Sequence, residues 1–189
     1  MDLTRSFVAL PLPERIRDGL AAVALEIPSG RIVCAESFHI TLAFLGDQDD
    51  EALEELNEAL AGLRQPHFEI RLKGLGSFGG SRLRALWAEV VAPPELRELQ
   101  RAIVRAARRA GITLKHRRFV PHVTLARFRN SWVEDAAFAR FVERHAGFSL
   151  PVFEARAFAL YASHLSPAGA VYEELARYPL GFDQAVGSG

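Results

Sequence analysis

One cysteine, Cys34, one methionine and two lysines, Lys73 and Lys115, are all that the chain of 189 residues holds of these three residue types. A lone thiol cannot close an internal disulfide and is expected in a reducing compartment, which makes the cytoplasm the expected location. No stretch approaches the ~18 uninterrupted apolar residues of a membrane span, and Asp2 and Arg5 break up the N-terminus before a secretory apolar core can form. Net charge is absent as well. The 23 basic and 23 acidic residues cancel, so no overall field attracts nucleic acid and any such contact must be local. Also missing are His-x-His, His-Glu-x-x-His and Gly-x-Ser-x-Gly, so nothing points to a metal, another cofactor or a serine nucleophile.

What is present is a globular composition, 49% hydrophobic with a mean hydropathy of +0.05, in a length suited to one domain or two small lobes. Apolar residues recur with helical spacing in four segments, 13–27, 50–63, 94–110 and 131–146. The last opens on the capping box Ser131-x-x-Glu134 and ends at Gly147. Short runs at 6–10, 31–34, 38–45, 68–75, 84–91, 119–128, 152–162 and 170–178 read as strands.

These elements repeat. Pro13 precedes Pro94 by 81 positions, and His39 and His122, Glu51 and Glu134, and His67 and Leu150 are each separated by 83. Residues 13–91 and 94–178 are therefore two copies of one unit, with the first strand, around Phe7, unmatched. The expected fold is α+β: a single bilobal domain over residues 1–182, with two antiparallel sheets facing a central cleft and helices on their outer faces. Residues 183–189 read as a disordered tail.

The best-matched stretches of the two copies are Phe38-His39-Ile40-Thr41-Leu42-Ala43 and Pro121-His122-Val123-Thr124-Leu125-Ala126. With 6 histidines and 4 threonines among 189 residues, chance supplies about 0.13 His-x-Thr triplets, and here there are two in matching contexts. On a strand, residues two apart share a face, so His39 stands beside Thr41 and His122 beside Thr124. Two imidazoles and two hydroxyls converging across a pseudo-two-fold axis suit a phosphate, with histidines for the attacking and leaving oxygens and hydroxyls for the non-bridging ones. The competing readings are two half-buried histidines bonded to backbone, and a module that binds terminal phosphates without turning them over.

Paired His-x-Thr motifs on the strands of a duplicated chain resemble the 2H phosphoesterase superfamily. Within it the resemblance is to the RNA 2′,3′-cyclic phosphodiesterases, also called 2′-5′ RNA ligases or the LigT family. It is carried by Arg5-Ser-Phe-Val-Ala-Leu10, Phe38-His-Ile-Thr-Leu-Ala-Phe-Leu-Gly46, Phe119-Val-Pro-His-Val-Thr-Leu-Ala-Arg127 and Leu160-Tyr-Ala-Ser163. The resemblance implies a bilobal fold and metal-independent opening of a 2′,3′-cyclic phosphate at an RNA end or cyclic nucleotide to a 2′-phosphomonoester. It also implies a weak reverse joining of RNA ends. His39 would be proton donor, His122 proton acceptor, and Arg127 would lie beside the nucleotide. The sequence itself shows no sign of a membrane or obligate protein partner.

Weaker signals remain. Simple alternation puts Arg127 on the face opposite Thr124 unless the strand bulges. The run Gly74-Leu-Gly76-Ser-Phe-Gly79 has dinucleotide-binding spacing but precedes a strand, so it reads as a hairpin loop. Arg97, Arg101, Arg105 and Arg109 lead towards Lys115-His116-Arg117-Arg118 and read first as a solvated helix face. Tyr161 and His164 stand near a strand end that could reach the cleft. His67, His116 and His145 read as structural, and Cys34 as a buried apolar thiol.

Overall fold

A computed structural model describes residues 3–79, 82–132, 136–166 and 169–181. In chain order it contains β1 (Thr4–Pro11), α1 (Glu14–Leu25), β2 (Arg31–Ile32), a turn of 3₁₀ helix (Ala35–Ser37), β3 (His39–Gln48), α2 (Asp50–Ala61), β4 (Phe68–Phe78) and β5 (Arg82–Val91). It continues with α3 (Pro94–Arg109), β6 (His122–Trp132), α4 (Ala136–Arg144), β7 (Phe153–Ala155), β8 (Ala157–Ser166) and β9 (Gly169–Pro179).

The helices form where their apolar stripes can be buried. α1 turns Ile16, Leu20 and Ala24 inward and stops before Pro28. α2 is capped by the Asp49 carboxylate, which accepts from the Ala52 N–H at 2.9 Å, an arrangement worth about 1 kcal/mol. α3 starts on Pro94, where a missing N–H costs nothing, and buries Leu96, Leu99 and Ile103.

Every strand pairing is antiparallel. One sheet runs β3-β1-β8-β9 and the other β2-β6-β5-β4-β7. α2 and α3 pack on each other and on the first sheet, through β9 and β3 respectively, while α1 packs against β6 of the second. α4 follows α1 to that side, with Phe138 edge-on to Phe128 of β6. The two sheets meet where β3 approaches β6, and one continuous buried cluster runs through both. Among the described residues, no helix is long and apolar enough to cross a membrane.

The lobes are not the two halves of the sequence. Each half places its histidine strand and the helix after it in one lobe, and its leading helix and trailing hairpin in the other. Thus β3 and α2 share a lobe with α3, β8 and β9, whereas α1, β4 and β5 share one with β6 and α4.

Several boundaries differ from expectation for the same reason, that the chain keeps changing lobe. The run 152–162 is broken at Arg156, with β7 pairing on β4 and β8 on β1. Residues 112–121 cross between lobes without regular structure, so β6 starts at His122. The last helix is described from Ala136, and Ser131, expected to cap it, instead lies with Trp132 in β6; Glu134 of the expected capping box and the tail 183–189 lie outside the described residues. Gly74 and Gly76 belong to β4 rather than to a loop, and of the three glycines Gly79, at φ +121°, follows the strand at the turn.

Candidate active site

His39 and His122 open the two strands that meet between the lobes, and each is fixed in the same way. His39 Nδ1 lies 2.7 Å from the Ser37 carbonyl, and His122 Nδ1 lies 2.6 Å from the Val120 carbonyl. A carbonyl only accepts, so each Nδ1 carries the proton and each neutral ring keeps its lone pair on Nε2. His39 Nε2 accepts from the Thr41 hydroxyl at 3.1 Å. His122 Nε2 has no protein partner among the described residues.

The wall around each ring is aromatic. Phe7 of β1 and Tyr172 of β9 stand 4.9 and 5.2 Å from the His39 ring, centroid to centroid. Phe78 of β4 and Trp87 of β5 stand 5.0 and 5.6 Å from that of His122. The indole lies flat over Gly76, where a Cβ would come within 2.3 Å of the ring. Its N–H is buried without an acceptor among the described residues, so packing alone holds it there.

Burial, the largest influence, pushes His39 down to about 4 from the ordinary 6.5; the Ser37 carbonyl opposes, and the Arg127 guanidinium and the His122 ring add to the fall. His122 is lowered for the same reason, against the Val120 carbonyl and with help from Arg127. Both imidazoles are therefore neutral at neutral pH. A bound phosphate anion favours imidazolium and moves both values back up.

Arg127 reaches this site through a backbone irregularity. On β6, Thr124 pairs with Trp87 but Ala126 with Leu86, leaving Leu125 as an extra residue. The bulge reverses the alternation, so Leu125 and Ala126 are both buried and Arg127 emerges on the side of His122 and Thr124. The same device occurs on β3, where Thr41 pairs with Ala9 and Ala43 with Val8, leaving Leu42 extra. The residue it turns out there is Phe44, whose ring is 67% exposed and 6.2 Å from that of Phe7.

His39, Thr41, His122, Thr124 and Arg127 thus come together from β3 and β6. Phe7, Phe44, Phe78, Trp87 and Tyr172 escaped the sequence reading because only strand register brings them to the histidines. Phe44 had a signal, since it occupies the position 83 residues before Arg127. Tyr161 stacks on Phe7 at 5.2 Å, and burial, joined by Glu174, pushes its phenol up to about 12, so it stays protonated at neutral pH. His164 instead meets Glu173 at 2.9 Å. His67 meets Glu154, and His145 donates to Phe141 O at 3.0 Å beside Glu26, as structural histidines do. Cys34, expected to be buried, is exposed, with its Sγ 3.2 Å from Ser37 Oγ; it caps the 3₁₀ turn at the point where the chain crosses between lobes.

A model of the 2′-5′ RNA ligase superfamily matches residues 34–166, a span that includes both His-x-Thr strands. The chain belongs to that superfamily. Among curated members, the RNA 2′,3′-cyclic phosphodiesterase of Thermus thermophilus is 33% identical over 98% of this chain and 96% of its own length. That of Methanocaldococcus jannaschii is 31% identical over 89% and 96%. A protein of the same name from Geobacillus stearothermophilus is 31% identical over 95% of this chain, but the chain spans only 58% of its length. Among solved structures, Escherichia coli LigT without ligand superposes with a TM-score of 0.79 at 29% identity, covering 96% of this chain and 100% of LigT. The same protein complexed with 3′-AMP gives 0.77 at 28% identity over the same shares. The bilobal superfamily fold expected from the doubled motif is the fold found.

Proposed function

We propose that this superfamily member hydrolyses RNA 2′,3′-cyclic phosphate ends to 2′-phosphomonoesters without a metal, in a reducing, cytoplasmic compartment. The observation that carries the reading is the pair of imidazoles on β3 and β6, each tied at Nδ1 to the carbonyl two residues earlier. That tether orients two Nε2 atoms for two different protons. The names of the relatives support the substrate class.

In the proposed reaction, water attacks phosphorus opposite the 3′ oxygen. His122 Nε2, free of any described protein partner, takes the water proton. His39, charged by the arriving anion, gives its Nε2 proton to the departing 3′ oxygen, so the ring opens to a 2′-phosphate and a 3′-hydroxyl. The Thr41 hydroxyl, which caps Nε2 of neutral His39, swings to a non-bridging oxygen once that nitrogen is protonated, and Thr124 serves another. Arg127 offsets phosphate charge, and the exposed ring of Phe44 offers a face to the base. With the 5′-hydroxyl of a second RNA end in place of water, the same groups would open the cyclic phosphate to a 2′-5′ phosphodiester, the 3′ oxygen again leaving with a proton from His39.

The deciding experiment uses a dinucleotide ending in a 2′,3′-cyclic phosphate and an analogue whose leaving group is an activated aryl oxide. Wild type should turn over both after exhaustive chelation. The aryl oxide needs no protonation, so it should restore most of the rate lost in His39→Ala but not in His122→Ala. Rescue of His122→Ala instead reverses the roles, and binding without turnover leaves a phosphate-recognition module.

A further inference from the structure

Cancellation of charge over the whole chain hides a segregation. Residues 99–133 contain no aspartate or glutamate and nine cations, which leaves fourteen cations against twenty-three carboxylates elsewhere. This span runs from the second half of α3, through the lobe crossing at 112–121, into β6 and its His-x-Thr motif.

The crossing is anchored at both ends and open in the middle. Leu114 and Phe119 pack against the core, while Lys115, His116, Arg117 and Arg118 between them are all exposed. None of these four forms an ion pair among the described residues, nor does Arg129, which stands exposed on β6 two residues beyond Arg127. Arg118 is four residues from His122, at most about 14 Å of chain. The loop is tied to the site by the Val120 carbonyl that holds His122 Nδ1.

The pseudo-symmetry supplies an internal comparison. The equivalent crossing of the first half, residues 27–38, leads into His39 with one arginine, Arg31, and one carboxylate, Glu36. The two ends of the cleft are therefore built alike but charged differently. Unpaired cations held out by a loop bind a phosphodiester backbone, releasing counterions, and do not read bases.

We propose that the crossing at 112–121 is the track along which the RNA strand upstream of the terminal cyclic phosphate leaves the cleft, with Lys115, Arg117 and Arg118 contacting its phosphates. The enzyme is then a processor of polynucleotide ends, for which a free cyclic mononucleotide is a truncated substrate. This rests on the reading of the cleft given above.

The test compares wild type with Lys115→Gln/Arg117→Gln/Arg118→Gln on two substrates, a mononucleoside 2′,3′-cyclic phosphate and a short single-stranded oligoribonucleotide ending in the same group. The variant should keep wild-type kinetics on the mononucleotide. On the oligonucleotide its KM should rise roughly tenfold, and the slope of log affinity against log salt should flatten by about 2 for three lost contacts. A charge-matched variant on other surfaces, Arg17→Gln/Arg97→Gln/Arg140→Gln, should change neither. Equal losses in both variants would mean a diffuse field and overturn the track. So would unchanged oligonucleotide kinetics, the result expected if the loop served an acidic protein. Should wild type turn over neither substrate, the cyclic phosphodiesterase reading fails, and the affinity of a 3′-phosphorylated oligonucleotide for the same variants still decides the track.

Discussion

Phe44 and Arg127 occupy the same place in the two halves: each lies three residues past its motif threonine and is turned to the site by a bulged leucine, Leu42 or Leu125. At this position one side of the site carries an aromatic ring and the other a cation. Phe44→Ala should weaken nucleotide binding by about 1–3 kcal/mol, the usual contribution of a stacked base, with kcat little changed. Arg127→Met should lower kcat/KM and, by removing a neighbouring cation, raise the titration midpoints of both histidines. Histidine ring NMR reads the second effect, and unmoved midpoints would place the guanidinium elsewhere.

Each histidine should be required, and the two should act as a unit. His39→Ala and His122→Ala should each lower kcat by ~10²–10⁴ with folding retained, and the double variant should lose less than the product of the two. Steady-state kinetics with a thermal melt of each purified variant measures both. Near-wild-type turnover in either would rule out the two-proton mechanism.

Each threonine should contribute through its hydroxyl. Thr41→Val and Thr124→Val keep β-branching and remove one donor, so kcat/KM should fall by the equivalent of ~1–4 kcal/mol. Normal kinetics in both would make the hydroxyls structural. Thr41→Val also frees His39 Nε2 of its cap.

The pH dependence follows from the direction of the shifts. The working free enzyme holds one proton on the histidine pair, and both values are lowered, His39 to about 4. The bell in kcat/KM should therefore peak on the acid side of the ordinary histidine value of 6.5. Bound phosphate raises both values, so the bell in kcat should lie at higher pH than that in kcat/KM. Stability carries the same sign. Below 6.5 the unfolded chain takes up a proton that buried His39 refuses, so stability is complete above 6.5 and falls as pH drops towards 4. Denaturation midpoints across that window, compared with those of His39→Phe, isolate the contribution.

How much of this was legible in the sequence depends on the range of the interaction. The His-x-Thr pair and the four helices rest on local spacing, and the structure contains them all, although the expected start of the last helix at Ser131 is strand. Arg127 was undecidable from alternation, because a single extra residue at Leu125 changes the face and bulges leave no mark in composition. Phe78 and Trp87 were invisible as site residues, since their approach to His122 depends on β4 and β5 lying beside β6 and on Gly76 leaving room for the indole. Arg156 reads as mid-strand in any local window, although there the chain leaves one sheet for the other.

The exchange of hairpins between the lobes has a consequence for how such a molecule can arise. One half alone could complete neither sheet and would present open strand edges, a route to aggregation. Because β1 stands beside β3 as β5 stands beside β6, and β8 beside β1 as β4 beside β5, two identical copies of a unit with such a first strand could trade their last strands and close as a swapped homodimer with two histidine strands at its centre. That ancestor would be bound by its own symmetry: whatever residue followed the bulge in one copy would follow it in the other, giving two phenylalanines or two arginines. Covalent fusion lifts the constraint. Once the copies are joined, one can keep Phe44 while the other acquires Arg127, and a symmetric phosphate cradle becomes one that distinguishes the two ends of its ligand.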